Sequence, residues 1–370
     1  MLPCTETGVE GLETEYIVGL EKELDEAVIR RAGEIIRKGG LVAFPTETVY
    51  GLGGDAFSPD SARKIYVAKG RPSDNPLIVH IHKTESLRSL ARDIPEAAYR
   101  LAEAFWPGPL TMIFHKKKEV PDETTGGLDT VAVRYPDHPV ALALIREAGG
   151  FVAAPSANTS GRPSPTVGRY VYEDLAGRID MLLDGGEVGI GVESTILDLT
   201  EEVPTVLRPG YVTPQMLRDV LKDVRLDPAI IGGNDTARPK APGMKYKHYA
   251  PRAEVIILSG SREKVSIGLL NEIEKKRSGG FRTGIIVTEE AAAAVEELSR
   301  QRRMKPADCI RIMGREGDEE SAARTLFRYL REFDEENCDY VFAEAMPETG
   351  LGLAVMNRLR KAAAGRIITL

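Results

Sequence analysis

Residues 39–55 read GGLVAFPTETVYGLGGD, a short apolar run followed at once by small polar residues and glycines. The run Leu41 to Phe44 is entered from a glycine pair and stopped by Pro45, which indicates a short buried strand. Hydroxyl and carboxylate side chains follow at residues 46–48, where the end of a strand in an α/β sheet usually faces a ligand crevice. The glycines at 51, 53 and 54 let the backbone turn tightly or approach a ligand closely. An ordinary polar turn between strand and helix explains the same residues about as well.

The composition is that of a globular protein with more than one domain. The chain has 370 residues, which exceeds one usual domain, with 42% hydrophobic and 28% charged residues. A net charge of -7 argues against a dedicated nucleic-acid binder, which is normally basic over its binding domain. Lys and Arg nevertheless outnumber Asp and Glu from Asp60 to Lys118, which suits a cationic wall facing a small anionic ligand.

Cysteine content and the lack of targeting signals predict a cytoplasmic protein. Cys4, Cys309 and Cys338 form no C-x-x-C pair, which suits a reducing compartment and excludes a zinc ribbon. The acidic stretch 1–15 lacks a signal-peptide pattern, and no apolar run is long enough to span a membrane.

Periodicity along the chain predicts two α/β domains joined by a linker. Through residue 212, helical segments such as Leu24–Lys38 alternate with short strands, which predicts a mixed sheet with helices. Residues 213–251 begin with a short helix capped by Thr213, then lose periodicity, and are interpreted as a linker. Two tyrosines, two lysines and a histidine within residues 245–249 are more than a spacer needs. Residues 252–370 alternate regularly, which predicts a smaller, parallel, doubly wound (Rossmann-like) sheet without a G-x-G-x-x-G dinucleotide fingerprint.

Candidate chemistry lies in two stretches of the first domain. Lys69 and Arg71 stand at a helix end and precede Asn75 and the strand that carries His80, a set suited to clamping a polyphosphate. Neutralisation of the helix C-terminus is the simpler alternative, but it explains only one of the two charges. Residues 155–166, PSANTSGRPSPT, crowd hydroxyls, an amide and an arginine into one loop after a strand, as phosphate oxygens require. Ser- and Pro-rich loops are more often only loops.

A metal site is not predicted. His80 and His82 fall on one face of their strand, but no third ligand stands at zinc-like spacing.

Six motifs in fixed order resemble the YrdC-like family. They are FPTETVYGL, KGRPSDNPL, WPGPLT, PSAN, VESTI and LRPG. The longer layout, with KYKHYAP in the linker and a β/α tail, is similar to the two-domain threonylcarbamoyl-AMP synthases of that family. The resemblance covers nearly the whole chain after about Leu24, and several long motifs in order are far more specific than any one. It implies a YrdC-like, twisted, open mixed sheet in residues 1–212 and a Rossmann-like domain in residues 252–370.

The resemblance implies a nucleotidyltransferase that transfers the adenylyl group of ATP. L-Threonine, bicarbonate (or CO2) and ATP would give threonylcarbamoyl-AMP, pyrophosphate and water. Because an amine and CO2 form a carbamate without a protein nucleophile, the protein must mainly position the reactants and stabilise charge on pyrophosphate. Mg2+ is expected with ATP, held largely by phosphates and water. The product would pass to a tRNA threonylcarbamoyl-transferase complex that modifies an adenosine beside the anticodon, with weak or indirect tRNA contact.

The resemblance also implies three groups of site residues, none of them a metal ligand. The reacting centre would be formed by Lys69, Arg71, Ser156 and Asn158. L-Threonine would be held by Thr46, His80, Arg134, the Ala154 backbone and Ser194. ATP would be contacted by Arg71, Asn75, Thr130, Ser156, Ser164, Arg208 and Tyr246. In the threonine group, Arg134 is the natural partner of the substrate carboxylate.

Three alternatives remain open at this point. A related carbamoyltransferase of hydrogenase maturation would carry zinc-binding cysteine pairs, which this sequence lacks. A non-catalytic RNA-binding module of the same fold is weakened by the acidic charge and the lack of interleaved aromatic and basic residues. The third alternative is that the β/α tail serves only to stabilise the protein or to form a dimer.

Overall fold

The computed structural model describes residues 12–232 and 249–370. The strands are β1 (Glu15–Ile17), β2 (Val42–Phe44), β3 (Gly51–Asp55), β4 (Ile78–Ile81), β5 (Leu110–His115), β6 (Thr130–Arg134), β7 (Phe151–Ala154), β8 (Met181–Leu183), β9 (Thr195–Asp198), β10 (Thr205–Arg208), β11 (Arg225–Leu226), β12 (Glu254–Ser259), β13 (Thr283–Val287), β14 (Cys309–Ile312), β15 (Tyr340–Glu344) and β16 (Ile367–Thr369). The helices are α1 (Glu26–Arg37), α2 (Pro59–Lys69), α3 (Leu87–Leu90), α4 (Glu96–Phe105), α5 (Pro139–Glu147), α6 (Gly168–Leu175), α7 (Pro214–Leu221), α8 (Pro228–Gly232), α9 (Arg262–Ser278), α10 (Glu289–Arg302), α11 (Glu319–Glu335) and α12 (Gly352–Ala362).

The first domain is built on an eleven-stranded mixed sheet, in the order β1-β8-β2-β3-β7-β4-β6-β5-β9-β10-β11. Helices α1 and α5 bury their apolar faces on one side of this sheet. Helices α2, α4 and α6 cover the other side. The mixed sheet with helices that the sequence predicts is therefore confirmed.

The capping residues of α2 determine where Lys69 lies. Ser58 accepts a hydrogen bond from the backbone N–H of Ser61 at 3.2 Å, and Pro59 occupies the first helical position, as predicted. Gly70 ends the helix in the left-handed region at φ 60°, which favours glycine. Lys69 is thus the last helical residue and points away from the helix toward the sheet edge that holds the loop after β7.

The glycines of the opening stretch form a strand, so the tight turn, one of the two roles predicted for these positions, is wrong. β3 pairs antiparallel with β2 and β7, with Gly53 opposite Val42. A Cβ at Gly53 would lie 2.7 Å from Val152 Cγ1 and 2.9 Å from Phe44 Cε1. Glycine is needed there because neighbouring side chains cross over the strand, a tertiary requirement that local periodicity does not reveal.

The second domain contains a five-stranded sheet in the order β14-β13-β15-β12-β16, with every pair parallel. Helices α9 and α10 pack on one face, and α11 and α12 on the other. This confirms the predicted doubly wound, Rossmann-like sheet. The α11–α12 face also packs against the first domain, since Val49 and Val192 belong to its apolar cluster.

Two buried arginines cross between the domains. Arg331 of α11 donates to the carbonyl oxygen of Pro163 at 2.7 Å and to Asp174 Oδ2 at 2.8 Å. Arg358 of α12 donates to Glu193 Oε2 at 3.1 Å. Because both arginines are 1% exposed or less, the domains meet through an interface with charged pairs inside it.

Residues on both sides of the linker's undescribed part lie against the first domain. Strand β11 pairs in parallel with β10, and α7 packs near α4. After residues 233–248, which lie outside the described ranges, the backbone N–H of Ala250 donates to Gly161 at 2.9 Å. In residues 12–232 and 249–370, no helix has the length and apolar character to cross a membrane.

Candidate functional site

A cleft with a cavity volume of about 60 Å³ lies in the first domain. Most of the predicted site residues line it together: Thr46, Lys69, Arg71, His80, Arg134, Ala154, Ser156, Asn158, Ser164, Ser194 and Arg208. Sheet register explains part of this convergence, because His80 on β4 lies opposite Arg134 on the parallel strand β6. The antiparallel strand β7 ends at Ala154, opposite Ile78 on β4, and the loop that follows it enters the cleft.

Lys69 fixes the loop after β7. Its Nζ, on a side chain only 1% exposed, donates to the carbonyl oxygens of Ser156, at 2.5 Å, and Asn158. Burial, reinforced by the charge of Arg71, holds the pKa of Lys69 well below its usual value. These contacts reach a distant loop rather than the carbonyls of α2, so they do not support helix neutralisation as the reason for this lysine.

The loop that Lys69 holds also has internal bonds. Ser156 Oγ donates to Asn158 Oδ1 at 2.5 Å. Asn158 Nδ2 in turn donates to the carbonyl oxygens of Thr159, at 2.8 Å, and Arg162, at 3.0 Å. The hydroxyl and amide are therefore held in one arrangement at the cleft wall.

Arg71 presents a second cation. Its guanidinium donates to the carbonyl oxygens of Asn75, at 3.3 Å, and Pro76, at 3.1 Å. Burial lowers the pKa of Arg71 to about 10, so the side chain remains charged at neutral pH. Lys69 and Arg71 thus present two kinds of cation to one cleft, a compact ammonium group and a planar guanidinium with several N–H donors.

Arg134 forms an ion pair with a neighbouring carboxylate. Its Nη2 is 2.8 Å from Glu47 Oε1, and both side chains are largely buried. The contact lacks hydrogen-bond geometry, and Nε and Nη2 of Arg134 make no hydrogen bond within the described ranges. Such a guanidinium is suited to binding the two oxygens of an incoming carboxylate.

His80 is a neutral group beside this arginine. Its Nδ1 lies 3.1 Å from the carbonyl oxygen of Ile78, which assigns Nδ1 as the N–H donor and leaves Nε2 as an acceptor. Burial, and then the charge of Arg134, lower the pKa of His80 to about 3. Thr46 directly precedes Glu47 in the chain. Its hydroxyl donates to the carbonyl oxygen of Val49 at 2.7 Å, and this hydrogen bond shapes the turn after β2.

Ser194 and Arg208 are joined directly. Arg208 Nε and Nη2 donate to the carbonyl oxygen of Ser194 at 3.0 and 2.9 Å, and Nη2 also reaches Ser194 Oγ at 3.2 Å. Ser194 Oγ shares a 2.7 Å hydrogen bond with Thr111 Oγ1. Burial lowers the pKa of Arg208 to about 10. Ser194, which is predicted to contact threonine, and Arg208, which is predicted to contact ATP, are therefore in direct contact.

Among the cleft residues that were not predicted as site residues, Glu193 and Tyr249 are buried and titratable. Glu193 accepts from Ser164 Oγ at 2.6 Å; burial alone would raise its pKa, but Arg358, Arg208 and Ser164 hold it at about 2. Tyr249 is 4% exposed, and burial followed by the charge of Glu193 raises its pKa to about 12. Both residues stand in motifs noted in the sequence, VESTI and KYKHYAP, so those motifs were the available signal.

Three predicted residues are not among those that line the cleft. Asn75 is buried behind Arg71, and its carbonyl oxygen accepts from that guanidinium. Thr130 lies at the start of β6, opposite His115 and away from Arg134. Tyr246 lies outside the described residues.

In the part of the chain that the structure describes, no three His, Cys, Asp or Glu side chains form a metal-binding group. Of the cleft residues, Glu193 is the carboxylate, and it is already engaged by Arg358 and Ser164.

Comparison with known proteins gives consistent matches over both domains. Residues 34–210 match the family described as "Telomere recombination", and residues 212–364 match "Threonylcarbamoyl-AMP synthase, C-terminal domain". The threonylcarbamoyl-AMP synthase of Pyrococcus abyssi is 48% identical over 353 residues, covering 95% of this chain and 98% of that protein. The Bacillus subtilis threonylcarbamoyl-AMP synthase is 46% identical over 349 residues, covering 94% and 96%. The crystal structure of P. abyssi Sua5 complexed with L-threonine superposes with a TM-score of 0.87 at 46% identity, covering 97% of this chain and 99% of that one.

Proposed function

The chain belongs to the two-domain threonylcarbamoyl-AMP synthase family, and from this premise we propose that it converts L-threonine, bicarbonate or CO2, and ATP into threonylcarbamoyl-AMP and pyrophosphate, with one water released when bicarbonate is the substrate. The observation that carries the proposal is one cleft that gathers five cationic side chains with a neutral histidine and hydroxyls. The cations are Lys69, Arg71, Arg134, Arg208 and Arg162, the last of which is paired with Asp174. An amino-acid carboxylate and a triphosphate can approach each other there because fixed positive charge offsets their repulsion.

Arg134 and His80 form the threonine end of the proposed site. The guanidinium of Arg134, which is ion-paired with Glu47, binds the substrate carboxylate, and Nε2 of neutral His80 accepts a hydrogen bond from its ammonium or hydroxyl group. Thr46, the Ala154 backbone and Ser194 complete the pocket. The L-threonine complex of the P. abyssi relative, at 46% identity, supports this substrate.

The lysine and arginine pair forms the ATP end. Lys69 and Arg71, with Ser156 and Asn158, surround the phosphates, while Ser164, Arg208, Asn75, Thr130 and Tyr246 remain proposed nucleotide contacts. A carbamate oxygen attacks the α-phosphorus, the bond to the β-phosphate oxygen breaks, and pyrophosphate leaves with its charge stabilised by the cations. The adenylyl group is thereby transferred to the carbamate, and no protein nucleophile is needed.

Mg2+ is proposed only as the ion that accompanies ATP. The cleft carboxylate, Glu193, is paired with Arg358, so the described residues do not form a protein cage for a metal. Phosphate oxygens and water are the ligands that Mg2+ commonly keeps in such sites. The Lys69 and Arg71 contacts described above do not depend on it.

The cleft geometry favours small-molecule substrates over direct binding of RNA. Lys69, Arg134 and Arg208 are 1%, 4% and 5% exposed, which is too enclosed for a polynucleotide backbone. We therefore propose hand-over of the product to a tRNA threonylcarbamoyl-transferase complex, with tRNA contact weak or indirect.

Pyrophosphate release tests the proposal. Purified protein with ATP, Mg2+, L-threonine and bicarbonate is expected to release pyrophosphate and form threonylcarbamoyl-AMP, detected by mass spectrometry. Parallel reactions without L-threonine, and without bicarbonate in CO2-free buffer, should release none. Release that is indifferent to both omissions would refute the proposed function.

A further inference from the structure

Arg358 belongs to the second domain by sequence but makes its main hydrogen bonds to the first. Its Nε donates to Glu193 Oε2 at 3.1 Å and its Nη2 to the Glu193 carbonyl oxygen at 3.3 Å, while Nη1 donates to the carbonyl oxygen of Pro209. The side chain is 0% exposed. Most of the hydrogen bonds that this guanidinium donates therefore cross the domain interface.

The residues that Arg358 holds are the neighbours of cleft residues. Glu193 precedes Ser194 in the chain, and its carboxylate accepts from Ser164 Oγ at 2.6 Å. Pro209 follows Arg208, whose guanidinium is bonded to Ser194. One arginine thus fixes the backbone on both sides of the Ser194–Arg208 contact.

Electrostatics make Glu193 dependent on this arginine. The charged or titratable groups that face its carboxylate are Arg358 from α12, Arg208 from β10 and the phenol of Tyr249, together with the hydroxyl of Ser164. A buried carboxylate that loses a cation either takes up a proton or draws the remaining cation toward itself. Here the remaining cation is Arg208, so either response disturbs a cleft residue.

On the premise of the function proposed above, we propose that Arg358 is a positioning residue for the synthase reaction, which acts through Glu193 to hold Ser164, Ser194 and Arg208 in place. The second domain then supplies part of the support of the active site, beyond a purely stabilising or dimerising domain.

The first experiment compares Arg358→Met with Arg360→Met. Arg360 is a matched control because it lies on the same helix, α12, and pairs with Glu348 within the second domain. We expect Arg358→Met to lower kcat/KM by about 10- to 100-fold, by analogy with residues that orient the ligands of a metal. Arg360→Met should stay close to the wild-type value.

The pH profile separates positioning from a loss of folding. In Arg358→Met, burial raises the pKa of Glu193 from its low native value of about 2, so the carboxylate takes up a proton as pH falls. The deficit relative to wild type should therefore be larger at pH 6 than at pH 8.5. A structural defect alone would lower the rate by a similar factor across this range.

Two further variants test the route through Glu193. Glu193→Gln keeps an oxygen that can accept from Ser164 but carries no charge, so adding Arg358→Met to it should cause little further loss and no new pH dependence. Arg358→Lys should recover part of the activity, because it restores the charge without the fork that reaches Pro209.

Calorimetric titration with ATP·Mg2+ and with L-threonine makes the outcomes distinct. A wild-type protein that forms no product refutes the proposed function, whereas the dependence of ligand affinity on Arg358 and Glu193 can still be measured. Wild-type kinetics and affinities in folded Arg358→Met would overturn the inference. So would a loss that is independent of pH and strictly additive in the double variant.

Discussion

Replacing Lys69 with Met is expected to slow the reaction far more than it destabilises the fold. The change removes two hydrogen bonds from Nζ and leaves the carbonyl oxygens of Ser156 and Asn158 without that partner. Each such buried group costs about 1–3 kcal/mol. The opposing effect is the relief of burying an ammonium group, which is worth several kcal/mol in a protein interior.

These two terms nearly cancel, so the melting temperature should change by only a few degrees. The rate has no such compensation, because the change removes the cation that we propose lies beside the leaving pyrophosphate. Electrostatic groups of this kind contribute about 3 kcal/mol, which corresponds to roughly a hundredfold in kcat. We therefore expect about a hundredfold slower pyrophosphate release from a protein that is still folded.

Lys64→Met is the matched control. Lys64 lies on the same helix, α2, and its Nζ donates to the carbonyl oxygen of Gly39 at 2.5 Å, but the side chain is exposed and does not line the cleft. Pyrophosphate release and thermal unfolding are measured on wild type and both variants. Equal rates for Lys69→Met and Lys64→Met would refute the electrostatic assignment, and unfolded Lys69→Met would show that the stability terms do not cancel.

Three other predictions concern single residues of the cleft. Arg134→Lys should raise KM for L-threonine about tenfold with little change for ATP, measured by initial rates, because the bidentate fork is lost; equal shifts for both substrates would contradict this. Lowering the pH from about 6.5 to 3 should reduce the free energy of unfolding, because His80 takes up a proton in the unfolded chain but not in the folded site, where its pKa is about 3. Urea unfolding of His80→Asn should show less acid sensitivity. An unchanged pH dependence would exclude His80 as the cause. Tyr246→Ala should weaken ATP binding about tenfold in calorimetry if its ring stacks on the base, whereas Ser259→Ala in the second domain should not. Wild-type ATP affinity in Tyr246→Ala would mean that residues 213–251 act only as a tether between the domains.

Local signals in the sequence were sufficient for most of the framework. The Ser58–Pro59 start and the Gly70 stop define α2, and this alone brings Lys69 to the sheet edge. Regular alternation predicted the parallel sheet of the second domain because each strand and helix carries its own periodicity. The ordered motifs predicted most of the site residues that line the cleft, but the contacts among these residues follow from strand register.

The remaining features depend on contacts between distant segments. Gly53 is required by the side chains of Val152 and Phe44, and no turn signal distinguishes that need from a bend. Glu193 and Arg358 are 165 residues apart, so their ion pair has no local pattern. Tyr249 lines the cleft with its backbone at φ 62°, a conformation that no local pattern in the sequence indicates.

The Arg331 contact has a consequence for how the protein unfolds. Asp174 accepts from Arg331 at 2.8 Å, from Arg162 and from the Thr159 backbone N–H at 3.0 Å, all within a buried interface. Separating the domains breaks this ion pair and also exposes the apolar cluster that α11 and α12 share with Val49 and Val192, which costs free energy. Although each domain has its own sheet and core, heating should therefore melt them together in one cooperative calorimetric transition, and Arg331→Met should split that transition in two.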